Sequence, residues 1–265
     1  MPFFRNRTLR LRDRATPPAP VQQRDRVPLR LHDGRDIDVL RVRDPRARRM
    51  KLSVSERGVR LTLPARASLI AGERFLAEHR DWVHAQLSQL PDLGEMALRR
   101  DATATLPLRG RAMPLHWETA RFTALRADDA GLRFQTAPRA GEAALRRALR
   151  DFYEAEARAD VGRWMPRYLP SLPRAPRRVQ WKVMSSQWGS LAPDGTVALD
   201  LSLILAPPQA FEYVLVHELC HLIHHDHSPA YWREVEARFP HWRDQREWFR
   251  DEGRRLKATL QALLR

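Results

Sequence analysis

A single cysteine, Cys220, stands in the whole chain, which excludes an internal disulfide framework and fits a reducing compartment. Long apolar runs are also missing. No stretch approaches the roughly 18–20 uninterrupted apolar residues that a membrane-spanning helix requires. The Arg-studded start MPFFRNRTLRLRDR lacks the apolar run of a signal peptide, so a cytoplasmic protein with no membrane partner is expected. Lysine is the third scarcity: of 47 basic residues, only Lys51, Lys182 and Lys257 are Lys. Such an Arg-for-Lys skew follows from a GC-rich coding sequence, so the net charge of +15 is weak support for a polyanionic partner. The surplus is uneven, however. Residues 1–50 hold fourteen Arg against six Asp, about half of the excess. A basic arm of this kind attracts nucleic acid by charge alone, and a solvated tail is the plain alternative.

What the chain does have is 43% hydrophobic residues in 265, enough to bury a core. Residues 1–26 mix Arg, Asp, Pro and Gln without periodicity and read as a flexible arm. From Val27 the pattern changes. VPLRL and DIDVLRV alternate around Asp33-Gly34 as a β-hairpin, and KLSVS pairs with VRLTLP through Glu56-Arg57-Gly58. The spacing of Phe75, Leu76, Trp82, Val83 and Leu87 predicts a helix over 68–90. Short strands follow near 106–108, 114–118 and 132–135. A long amphipathic helix is then expected over 141–169, with Leu145, Leu149, Phe152 and Tyr153 on its apolar side. A Pro- and Arg-rich connector leads to a strand in VQWKVM, and WGSLAP and TVALDLSLI form a hairpin at Asp194-Gly195. There is no internal repeat. The expectation is an α+β fold in one continuous domain after the arm, with a β-rich half over 27–138 and a catalytic half over 139–265.

Pro207-Pro208 opens the helix that carries the chemistry, FEYVLVHELCHLIHHDHSPAYW, with His217-Glu218-x-x-His221 inside it. Residues four apart on a helix lie about 6 Å apart along the axis and share a face, so both imidazoles can reach one ion at about 2.0–2.1 Å. Glu218 falls beside the metal, where it can take the proton of a water. A catalytic zinc site needs a third protein ligand. His224 on an unbroken helix would stand about 10 Å from His217, too far to share the ion. The ligand must therefore come from chain that has turned back, and His227 fits. It precedes Ser228-Pro229, a cap and start for the next helix, so the first helix should end near His225-Asp226. An N3 site with an adjacent Glu suits a Lewis acid, which favours one Zn2+ over copper or iron.

Each neighbour has two readings. Cys220 faces away from His217 and reads as a small buried residue. His224 and His225 are polar neighbours or substrate contacts, and Asp226 orients a ligand imidazole or caps the helix. The Tyr231 hydroxyl either stabilises an oxyanion or packs in the core. Glu247 and Asp251 form Glu-x-x-x-Asp, an alternative source of the third ligand. Trp242, Trp248, Phe249 and Leu256 are helix-spaced core residues.

The order of strand, Trp188-Gly189-Ser190, hairpin, apolar strand and His-Glu-x-x-His helix, followed by His227-Ser228-Pro229, resembles the YgjP-like metallopeptidases, which are similar to the SprT-like and WLM peptidases. The resemblance runs from about Asp36 onward and includes His79-Arg80-Asp81-Trp82-Val83. It implies metal ligands at His217, His221 and His227, the general base at Glu218, and a zincin-like catalytic half of mixed sheet plus active-site helix. Residues 197–204 would be an edge strand for an extended peptide substrate. Relatives usually have Arg-Trp-Gly-Ser-Cys where this chain has Gln187-Trp188-Gly189-Ser190-Leu191, which bears on substrate preference. His224 stands where the metzincin pattern has Gly. The function expected is hydrolysis of a peptide or protein by metal-activated water. A nucleic-acid-associated protease using the arm and a metal-binding protein without turnover are the alternatives.

Overall fold

The computed structural model describes residues 23–55, 58–88 and 96–265, and within them it is a mixed α+β protein with three mixed sheets and six α-helices. The chain divides into two compact units, one of residues 1–54 and 58–84, the other of residues 55–57 and 85–265. That division falls near residue 85, whereas the sequence suggests one domain after the arm with halves meeting at 138. The reason is the sheet of residues 105–136, which packs its apolar face under the long helix that follows and so joins the helical half.

The first unit is built on a sheet of order β1-β2-β4-β3, from β1 (Gln23–Arg30), β2 (Asp36–Asp44), β3 (Lys51–Ser55) and β4 (Gly58–Pro64). The expected arm therefore ends earlier than Arg26, because residues 23–26 pair with residues 40–43 of β2. Residues 1–22 lie outside the described residues. Gly34, at φ +83°, supplies the left-handed turn of the β1–β2 hairpin. Strict alternation along β4 buries Val59, Leu61 and Leu63. The helix expected over 68–90 is two: α1 (Leu69–Glu78), capped by the Ser68 side chain, and α2 (Arg80–Ser88). It breaks at His79, whose Nδ1 lies 2.8 Å from the carbonyl oxygen of Phe75. Residues 89–90 fall outside the described residues.

The second unit opens with a sheet of order β5-β6-β8-β7, from β5 (Thr105–Leu108), β6 (Arg111–Thr119), β7 (Ala124–Asp128) and β8 (Gly131–Thr136). Strand β7 has no sequence signature because only Leu125 of it is buried. Helix α3 (Glu142–Tyr168) covers this sheet with Leu145, Leu149, Phe152 and Tyr153, as its spacing predicts. At the β5–β6 turn the amides of Arg109 and Gly110 donate to the carbonyls of Ile204 and Leu205, each at 2.8 Å. Arg109, at φ +50°, is held there by Asp160 and Glu156 of α3 through bonds of 2.7–2.9 Å. The first strands of this unit are thereby tied to the segment that launches the histidine helix.

A third sheet, of order β10-β11-β9, comprises β9 (Arg178–Lys182), β10 (Gly189–Leu191) and β11 (Thr196–Asp200). All five residues of β11 are buried, and it is flanked on both sides. The expected edge strand over 197–204 is therefore wrong twice. Its first part is the central strand, and Leu201–Leu205 wind into a 3₁₀ turn whose start is capped by Asp200 accepting from the Ser202 amide. Strand β10 is an edge instead. Helices α4 (Pro208–Cys220), α5 (Pro229–Arg238) and α6 (Trp242–Leu263) complete the unit. No described helix is long and apolar enough to cross a membrane.

Candidate metal centre

Pro208 fixes the first turn of α4, and burial follows the helix nearly all round: Phe211, Tyr213, Val214, Leu215, Val216, Leu219 and Cys220 are in the core. Its second half meets a cleft of about 590 Å³, lined by Tyr213 and Val214 and, at the helix end, by His217, Glu218 and His221. A larger cleft of about 1010 Å³ runs along α6, and its lining contains no histidine. Helix α4 ends at Cys220, about one and a half turns earlier than expected. The Leu222 and Ile223 amides bond back three residues, to Leu219 and Cys220, so the helix tightens and stops. The chain released by that early end returns His227 to the histidine face. Ser228 then caps α5 by accepting from the Tyr231 amide, as its position before Pro229 predicts.

The result is a convergence of three imidazoles. One ring nitrogen from each of His217, His221 and His227 lies within 4.8 Å of the others. His217 Nε2 and His227 Nε2 stand 3.2 Å apart. Two nitrogens bound to one tetrahedral zinc would be about 3.3 Å apart, so that pair already has the spacing of a shared ion. His221 Nδ1 lies 3.0 Å from the His224 carbonyl oxygen, a bond that puts the proton on Nδ1 and leaves Nε2 for a metal. His217 differs: its Nδ1 is buried without a partner among the described residues. Its ring is oriented by packing, with Tyr231 at 5.3 Å and Trp232 at 5.8 Å between centroids. Burial, and then the neighbouring histidines and Arg246, push the His217 pKa down to about 3. Burial also lowers that of His221. Both rings are thus kept neutral, the form that ligates metal.

Glu218 is 5% exposed, and burial pushes its pKa up to about 8. The wall against it is Gly189 of β10. A Cβ at Gly189 would lie 2.5 Å from Glu218 Oε1 and 2.6 Å from its Cγ, so only glycine leaves the carboxylate its place. The strand is clamped from behind. Lys257 of α6 donates to the Met184 and Gln187 carbonyls at 3.1 and 2.9 Å, pairs with buried Asp200 at 3.1 Å, and lies 4.1 Å from the Trp188 ring centroid. Three acceptors around one nitrogen suit a tetrahedral ammonium better than a planar guanidinium. This explains a Lys in a chain that uses Arg at nearly every other basic position. Sequence reasoning names Gly189 only within the Trp188-Gly189-Ser190 motif and Lys257 only as one of three lysines, and it foresees neither the contact with Glu218 nor the clamp on Trp188.

The remaining candidates resolve differently. The Tyr231 hydroxyl donates to the His217 carbonyl at 3.0 Å, and its buried ring stacks on His221 at 4.6 Å, so the side chain braces the histidines. Asp226 accepts from the Ser228 amide and makes a turn. Cys220 is buried, with its thiol pushed up to about 12 by burial, as a packing residue should be. Glu247 and Asp251 are exposed and bind Arg250, and the group of ligand atoms that lie within reach of one another comprises the three histidines without them. Trp242 is buried as expected, and Phe249 packs on Trp188 at 4.5 Å.

Three imidazoles converging beside a buried carboxylate match the donor set of a metal-dependent hydrolase. The family model of the YgjP-like metallopeptidase domain matches residues 48–252, and the chain belongs to that family. Membership implies a hydrolase of the metallopeptidase class. The match begins later than the Asp36 suggested by sequence, leaving β1 and β2 outside it, together with Gly253 and Lys257 of α6. Neither the curated proteins nor the solved structures yield a match to the chain.

Proposed function

We propose that this protein is a zinc-dependent peptidase in which His217, His221 and His227 hold one ion and Glu218 is the general base. The convergence of the three ring nitrogens next to a buried carboxylate carries the reading. Zinc, when bound, supplies Lewis acidity that acidifies the attacking water and polarises the scissile carbonyl. Glu218, held off the ion by its position one residue past His217, accepts the proton from that water on a carboxylate oxygen. It later returns the proton to the leaving amine. Its apolar surroundings suit a group that must change protonation during turnover. The edge strand β10 lines the cleft and offers unpaired backbone groups to an extended peptide, the role first assigned to residues 197–204. The central helix and the three-stranded sheet with an edge at the cleft fit a zincin-like arrangement.

The ligand set is tested by purifying His227→Ala and Glu247→Ala and measuring their zinc. We expect His227→Ala to lose its metal, since two imidazoles and water bind zinc poorly, and Glu247→Ala to keep a full equivalent. The reverse would move the third ligand to α6.

A further inference from the structure

We propose that Arg246 determines substrate choice by receiving a carboxylate of the bound peptide, an inference that rests on the peptidase reading above. Helix α6 carries five arginines, and four are engaged. Arg243 bonds Glu236 at 2.6 Å, Arg250 bonds Glu247 at 2.7 Å and Asp251 at 3.3 Å, Arg254 bonds Gln86 at 2.6 Å, and Arg255 pairs with Glu252 at 3.9 Å. Arg246 differs by sequence. At three and four residues on either side it has Trp242, Arg243, Phe249 and Arg250, so its own helix offers it no carboxylate. Among the described residues it forms no ion pair.

Its location gives that free charge a use. Arg246 lines the cleft that holds the three histidines. Its guanidinium carbon lies 5.6 Å from the centre of the Trp232 ring, and that ring is 5.8 Å from the rings of both His217 and His227. Trp232 is itself stacked on Trp242 at 4.4 Å, so the guanidinium rests on a fixed platform. The cleft's other ionic groups are Glu218, which is buried, and Arg250, which two carboxylates already neutralise. One unpaired cation therefore faces any peptide lying beside the metal centre. A guanidinium fork matches a carboxylate in shape and charge. Two sources share that chemistry: an Asp or Glu side chain near the scissile bond, or the free C-terminus of a short substrate.

The test uses the full-length zinc-loaded protein and binding in place of turnover. Probes are short peptides with an N-terminal hydroxamate to anchor on the metal, C-terminally amidated, and differing only in a flanking Glu, Gln or Lys. The Gln peptide is also made with a free C-terminus. We expect the carboxylate-bearing probe to bind about tenfold or more tighter than the amidated Gln peptide; the Glu peptide winning assigns a side chain, the free-acid peptide a C-terminus. Arg246→Gln should shrink that advantage to about twofold or less, and Arg246→Glu should favour the Lys probe. A merely structural role would not reverse the order. Equal binding of all probes to the unmodified protein overturns the inference, as does an equal loss for every probe in Arg246→Gln, which would place the group at the reacting carbonyl. If no hydroxamate binds a protein with a full equivalent of zinc, the peptidase reading fails and this inference fails with it.

Discussion

Glu218→Gln is expected to keep its zinc and to lose hydrolysis by about 10²–10⁴-fold. The amide reproduces the shape of the carboxylate and cannot accept the water's proton. None of the three histidines depends on Glu218 for a hydrogen bond: His221 is held by the His224 carbonyl and His217 by packing. Stability should not suffer either. Glu218 is 5% exposed and burial disfavours its charged form, so a neutral side chain is easier to accommodate there. Zinc content, thermal unfolding and mass-spectrometric detection of cleaved peptides, measured on one preparation, check all three points. Turnover within a few-fold of the parent protein would remove Glu218 from the mechanism.

Gly189→Ala is expected to be nearly as damaging without touching a metal ligand or the base. The new Cβ would stand 2.5 Å from Glu218 Oε1, 2.6 Å from Cγ and 2.8 Å from Cδ, closer than any side chain tolerates. Strand β10 cannot simply back away. It is hydrogen-bonded to β11, and the preceding Trp188 is pinned against Gly253, Phe249 and Lys257. Glu218 must therefore swing off its position, and a misplacement of about 1 Å at the reacting atoms is enough to cost about 10²-fold in rate. Overpacking should also lower stability by about 1–3 kcal/mol. Zinc should remain at one equivalent, because the substitution lies on the Glu218 side. Undiminished kcat/KM would show that the contact with Gly189 has no bearing on the base.

Much of the site is local and was therefore legible. Pro207-Pro208 and Ser228-Pro229 mark the starts of α4 and α5, and both helices begin there. The i, i+4 spacing of His217 and His221 puts them on one face, and the short return from His221 to His227 leaves the third histidine little choice of position. Hairpins at Gly34 and Gly195 were readable because both glycines adopt the left-handed conformation that the turns require. The α+β class followed from these pieces.

What was not legible depends on contacts between distant residues or on weak local signals. The apolar run through 197–205 reads equally as strand or as buried turn, and only the Asp200 cap decides where one becomes the other. Helix α4 stops at Cys220 without a glycine to announce it, so its end was placed too late. The break at His79 depends on one side-chain contact inside an otherwise continuous helical pattern. Gly189 against Glu218, and Lys257 against Asp200 and Trp188, join segments that only the tertiary fold brings together. The expected arm over residues 1–26, and with it contact with nucleic acid, falls mostly on residues 1–22, outside the described residues.

The most direct measurement is an anomalous difference map, collected across the zinc absorption edge on crystals of the full-length protein purified without chelator. We predict one peak, present above the edge and absent below it, about 2.0–2.1 Å from a ring nitrogen of each of His217, His221 and His227, with the Glu218 carboxylate beside it and unbound. A peak held by Glu247, a peak elsewhere in the chain, or no zinc signal between three well-ordered imidazoles would contradict the account.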